Sequence, residues 1–306
     1  MNDLSVLLLQ HGLERLLPYL PRLARPSIRL IETESVGVAG NTRLGGLPDV
    51  LPHFRWPCLR DCGLSAERAA TVDLDEPLVF LGQANWGQLK PYDIENVLPA
   101  TGGAIFFSGI GAGAGIYFAA TVNAFAPCHV PLPENVRYVL PRRVLEPRFE
   151  WTLPSYGLHG TIGGGDFQMG FFDTLFGEVE FLELSSTERK AYEQFRAQMV
   201  SPGSYRHRVL GHADYEQNPM QLDLERQTRG LTLDQGTYET LCDPTASLTR
   251  QLKLQALASK WRLAFQVGRF SDNDELWGNA STTYFWSKQD DLSSLAPRFV
   301  SDSQTD

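Results

Sequence analysis

The sequence predicts an α+β fold, mainly antiparallel β-sheet with a few peripheral helices. Three observations lead there. Short apolar runs bounded by glycine and proline outnumber the helical stretches. No regular alternation of strand and long helix appears, which argues against a doubly wound parallel sheet. The composition is that of an ordinary globular chain, with 306 residues, 42% hydrophobic and 21% charged.

The elements follow in order. Leu4, Leu7, Leu8, Leu13, Leu16, Leu17 and Leu20 recur near helical spacing and predict one amphipathic helix over 3–20, ended by Pro18 and Pro21. It is expected to cap the core, since Arg15 and Arg22 are too few cations for a membrane-surface helix. Alternation predicts a strand at 27–30. Residues 35–57 are rich in glycine and proline, yet Leu44, Leu47, Leu51, Phe54 and Trp56 anchor them, so they read as a structured loop. Residues 58–76 are a polar excursion. Apolar runs then predict strands at 78–84, 104–107, 115–122 and 136–140, and an acidic–apolar alternation another at 178–184. Ser185 with Glu188 forms a capping box that starts a helix with Ala191, Tyr192, Phe195 and Met199 inward. Asp243-Pro244 opens a second helix reaching about Ser259. Strands close the pattern at 261–270 and 282–286.

These elements are expected to form a single unit over 1–306, with sheet-rich halves at about 25–184 and 200–295 and a disordered tail at 296–306. LVFLGQANW (78–86) and WRLAFQVGRF (261–270) each place a glutamine inside an apolar strand, an echo that points to an internal duplication.

Charge narrows the partners. Thirty-six acidic and 27 basic side chains leave −9. Such a chain repels phosphate backbones, so no nucleic acid is expected, and the acidity suits solubility, its usual reason, or a basic protein partner. No apolar run is long enough for a membrane-spanning helix. The N-terminus shows no basic leader and no small-residue cleavage site, so a reducing cytoplasm is expected. Cys58, Cys62, Cys128 and Cys242 then read as thiols.

Reactive constellations are scarce. The glycines at 109, 111, 113 and 115 fall on every second residue and lead into a strand, not the helix that a dinucleotide fingerprint requires. Gly163, Gly164 and Gly165 lack the lysine of a phosphate loop. No serine elbow of the form G-x-S-x-G occurs. His207 and His212 are five apart, not the four that lets two imidazoles share a metal on a helix. Asp290-Asp291, Glu32 with Glu34, and Asp272 with Asp274 read as solvated charges or loop caps. No cofactor, metal or catalytic residue is expected. Two positions stand out instead. Gln83 and Gln266 lie within apolar strands, where an unpaired amide costs about 1–3 kcal/mol. They must fasten loop backbone or face a cavity.

The same segments carry a resemblance. Asn41, Arg43, Gly45, Gly46 and Pro48, then Trp56-Pro57, match an S/N-x-(R/K)-x-G-G-x-P…W-P pattern. Pro77, Leu78, Phe80, Leu81 and Gln83 match P-L-x-F-L-x-Q. Leu98-Pro99, Gly102 or Gly103, and Phe106-Phe107 match L-P-x-x-G-x-(I/L)-x-F-F. His207, Arg208, Leu210, Gly211, Gln217 and Met220 follow, then Trp261, Leu263, Gln266, Ser271, Asp272, Trp277, Gly278, Tyr284, Phe285, Trp286, Asp291 and Leu292. In this order, over about 25–292, the chain resembles the YwqG-like family, a bacterial domain of unknown function. Asn279-Ala280-Ser281 departs from the family's D-x-G, and Gly82 stands where alanine is common. The resemblance implies a compact, mainly β domain with no established activity. Some members lie beside polymorphic toxin genes, which implies a toxin-neutralising role.

The expected function is therefore a non-enzymatic, protein-binding one, sharpest as an immunity protein against a basic toxin. A scaffold module without toxin links reads the same way in sequence. The alternative is a small-ligand-binding protein or enzyme whose cleft is lined by Arg43, Gln83, His207, Gln266, Asp272 and Trp277. Convergence of those side chains on one pocket would favour it.

Overall fold

The structure is a computed structural model that describes residues 2–34, 37–109, 116–127, 130–154, 156–159, 168–171, 184–199, 207–215, 220–228, 257–268, 280–294 and 297–305. Its helices are α1 (Asn2–Gln10), α2 (Leu20–Leu23), α3 (Ala66–Ala69), α4 (Trp86–Leu89), α5 (Ser186–Met199), α6 (Gln221–Thr228) and α7 (Gln289–Leu292). The strands are β1 (Arg25–Thr33), β2 (Arg43–Leu44), β3 (Val79–Asn85), β4 (Gly103–Ser108), β5 (Tyr117–Val122), β6 (Arg143–Thr152), β7 (Tyr156–His159), β8 (Gln168–Phe171), β9 (Arg208–Leu210), β10 (Trp261–Gly268), β11 (Ala280–Lys288) and β12 (Val300–Thr305). The chain divides into two compact units interleaved along the sequence. The first gathers Met1–Arg25, Trp151–Ser204 and Gly211–Trp261, the second Pro26–Glu150, Tyr205–Leu210 and Arg262–Asp306.

In the first unit the predicted helix over 3–20 is broken. Gly12 takes a φ of +67°, and the chain resumes as a 3-10 helix over Glu14–Tyr19 that contains Pro18. The leucine stripe survives the break, because Leu4, Leu8, Leu13, Leu16 and Leu20 still bury together with Leu153, Leu184, Tyr192 and Phe195. The capping box forms as read. The Glu188 N–H donates to the Ser185 hydroxyl at 3.3 Å, and the Ser185 N–H donates to the Glu188 carboxylate at 2.8 Å. The predicted strand at 178–184 lies outside the described residues except Leu184, and the helix from Asp243 outside all but its last turn.

The second unit carries a ten-stranded sheet of order β12-β11-β10-β9-β1-β6-β2-β3-β4-β5. Every pair whose register is resolved is antiparallel. The sheet curls strongly. Phe106 of β4 lies 4.7 Å from the ring of Phe265 on β10 and 4.5 Å from Phe285 on β11. The Tyr117 hydroxyl of β5 meets Thr283 of β11 at 3.2 Å, so the sheet's two ends approach without forming a ladder. The concave face holds the main core, including Ile28, Leu30, Leu44, Leu81, Phe106, Val209 and Phe285. Phe80, Ile105 and Phe107 point the other way and are covered by Val50, Leu59 and Leu78.

Two expectations here need correction. Residues 136–140 are not a strand, because Leu140 and its neighbours run as a loop against the β2 turn. The tail is not disordered, since Val300–Thr305 forms β12 and pairs with β11 from Ala280 to Trp286. Among the described residues no helix is long and apolar enough to cross a membrane.

Candidate functional site

Arg43 and Gln83 come together. They are direct cross-strand partners on β2 and β3, 2% and 0% exposed respectively. Asp49 joins them. Its carboxylate receives Arg43 at 3.2 Å and the Gln83 amide at 3.0 Å, while the Gln83 carbonyl accepts the Asp49 N–H at 3.0 Å. The second Gln83 N–H bond goes to Asn41 O at 2.9 Å. Arg43 also donates to Gly45 O at 2.6 Å and to Leu47 O, and lies 5.6 Å from the Phe80 ring centroid. Burial pushes the Arg43 guanidinium below its usual value and Asp49 pulls it back, leaving it cationic.

Local backbone makes this arrangement. Gly45 and Gly46 have φ of +58° and +71°, so the chain leaves β2 in the left-handed region. A Cβ on Gly45 would stand 2.1 Å from Pro141 O. The G-G-x-P-D stretch therefore folds back over β2 and delivers Asp49 to Gln83. Every polar atom of the Gln83 amide is committed to its own loop.

His207 belongs to a different cluster. It is 1% exposed. Its Nδ1 accepts the Gly268 N–H at 3.2 Å, which fixes the proton on Nε2, and Nε2 donates to Glu32 at 3.3 Å. Glu32 also receives Arg143 at 2.5 Å. Burial holds the imidazole below its usual value despite Glu32, so it is neutral near pH 7. Burial pushes Glu32 up, but the bonds and charges of His207 and Arg143 outweigh it and hold that carboxyl below the usual glutamate value. With one nitrogen accepting and the other donating, the ring keeps no lone pair for a substrate proton or a metal.

Gln266 lies in a third place. Register sets it beside Arg208, and Arg208 beside Arg29, so the three share one face of β10, β9 and β1. Glu150 reaches both arginines, at 3.4 Å from Arg29 and 3.5 Å from Arg208. Successive residues alternate faces, so His207 and Arg208 point oppositely. The same rule separates Arg43 from Arg143. Leu44 is opposite Arg143 on the concave face, and Arg43 is one residue away on the other. The six predicted side chains thus split into an Arg43–Gln83 pair, His207 and Gln266, while Asp272 and Trp277 lie outside the described residues. Asp49, Arg143 and Glu150 were not among the expected site residues, and Glu32 was expected as a solvated charge or loop cap. Asp49 alone left a signal, as the turn residue after Pro48.

One cavity of about 210 Å³ opens elsewhere, at the end where β4 begins and β5 finishes. Trp86, Pro99, Thr101, Gly102, Gly103, Val122 and Asn123 line it. Among the described residues no group of three His, Cys, Asp or Glu could hold a metal ion.

Residues 42–296 match the family described as Domain of unknown function (DUF1963). The chain belongs to that family. The match begins at Thr42, beside Arg43, and takes in Gln83, His207 and Gln266, while their partners Arg29, Glu32 and Asn41 precede it. The leucine-rich start of the chain precedes it. Among curated proteins no relative matches the chain.

Proposed function

We propose that this DUF1963 chain is a non-catalytic protein-binding protein that acts through its outer surface on a basic partner. One observation carries the reading. Among the described residues, three of the polar side chains that looked most like a site are committed to the chain's own framework, with Arg43 bound to Gly45 and Asp49, Gln83 to Asn41 and Asp49, and both nitrogens of His207 occupied by Gly268 and Glu32. A group held on every polar atom can position backbone but has nothing to offer a reacting molecule. The surface is left to do the work, and a net charge of −9 steers a basic protein toward it.

The sharpest form is an immunity protein of a bacterial cytoplasm that neutralises a secreted basic toxin. Support comes from the acidity, from the thiols of Cys58 and Cys62, both free, and from the YwqG-like motifs. The test is capture of the tagged chain from native lysate at low and high salt, with mass spectrometry of what is retained. A basic protein held at low salt and released at high salt is expected. Coexpression with the product of the adjacent gene should then protect cells. Retention of no protein, with a small molecule copurifying in native mass spectrometry, overturns the reading in favour of the ligand cleft.

A further inference from the structure

The two edges of the ten-stranded sheet are built differently. β12 is polar, carries Asp302 and pairs through a register shift between Ala280 and Thr282, all devices that discourage another strand from adding on. β5, YFAATV, has no charge, no proline and an unbroken register with β4 from Gly103–Val122 to Ser108–Tyr117. Its hydrogen-bond phase follows from one contact. The Gly109 N–H donates to Ile116 O at 2.8 Å, so Phe107–Phe118, Ile105–Ala120 and Gly103–Val122 are the bonded pairs. The backbone groups of Tyr117, Ala119 and Thr121 therefore point away from β4. Tyr117 is tied by its hydroxyl to Thr283 and Ser303, but Ala119 and Thr121 lie beyond that anchor. Beyond Thr121 the edge runs straight into the cavity of about 210 Å³, where Val122 and Asn123 form one wall and Trp86 and Pro99 others.

We propose that β5 is the docking edge for an extended segment of a basic partner protein, which pairs with Ala119 and Thr121 and sets one apolar side chain into the Trp86 cavity. The inference rests on the protein-binding reading above and names where the partner sits. Main-chain bonds would supply affinity and the cavity specificity, as in strand addition generally. The occupant is a partner and not a second copy, because two chains of −9 repel while a basic segment is attracted. Asp302 beside Tyr117 adds to that attraction at the near end.

The probe is a synthetic peptide of alternating valine and threonine, ended by leucine and flanked by lysines. Hydrogen exchange should slow at Ala119 and Thr121 on binding, with little change on β12. Ala119→Pro removes an N–H that β4 does not use, so the ladder is kept, and binding should weaken at least about tenfold. Thr121→Pro is the second variant, and a peptide methylated at alternate amide nitrogens gives the same readout without altering the protein. Peptide binding that ignores both the proline variants and the methylation overturns the proposal, as does no binding at all. A chain that self-associates until Ala119→Pro makes it monomeric also overturns it, in favour of a second copy. Lysate capture separates this failure from the broader one. If wild type and Ala119→Pro retain the same basic protein, β5 is not the dock although the protein-binding reading holds; if wild type retains none, that reading fails.

Discussion

Gln83 shows at the scale of one residue how a polar group inside an apolar strand is made tolerable. Its three bonds to Asn41 and Asp49 hold the loop after β2, so Gln83→Leu leaves the Asp49 N–H and the Arg43–Asp49 pair without their companion. A loss of about 1–3 kcal/mol is expected in urea unfolding. Gly45→Ala should do at least as much damage, since it meets both a left-handed φ and Pro141 O. His207 and Glu32 give a pH dependence of one sign. The unfolded chain takes up a proton near 6.5 that the folded imidazole resists, so stability falls as pH drops from about 6.5 toward the lower folded value. The contribution of Glu32, whose folded value is below its usual 4.5, is present above 4.5 and lost as pH falls through the folded value. Urea midpoints across this range should show both steps, and His207→Gln should remove the upper one. The need for a partner at Gln83 was legible in sequence because an amide among apolar residues is conspicuous. Glu32 was not, because its partners come from residues 143 and 207, far along the chain.

Elements were legible where their signal is local. The start of α5 needs only Ser185 and Glu188 three residues apart, and both bonds form. Ser185→Ala should cost about 1 kcal/mol of stability, read as a shift of the thermal midpoint. β3, β4 and β10 also fall within two residues of their predicted bounds, because an apolar run between breakers states its own ends. The break at Gly12 escaped because leucines on either side keep helical spacing across it and share one cluster. β6 escaped for the opposite reason. RVLEPRFEWT has no clean apolar alternation: Glu146 and Arg148 are exposed, and the half-buried Arg143 and Glu150 are matched by Glu32 and by Arg29 and Arg208, which come from other strands. β12 has almost no apolar signal and exists because β11 offers it a ladder.

At the scale of the whole molecule, interleaving decides what can be cut away. The central strand β1 lies between β9 and β6, so half its pairing comes from residues after 205. A fragment of residues 26–150 keeps β1 to β6 but lacks β9 to β12, and Phe106 loses Phe265 and Phe285. That fragment should show no cooperative thermal transition by circular dichroism, whereas the full chain should show one. The same architecture sets a timetable at the ribosome. Ser27 meets Leu210 only after 183 further residues have been made, so the middle of the sheet waits, half-paired, for most of translation. During that wait the β9-facing edge of β1 is an open template on which another strand could pair until β9 emerges.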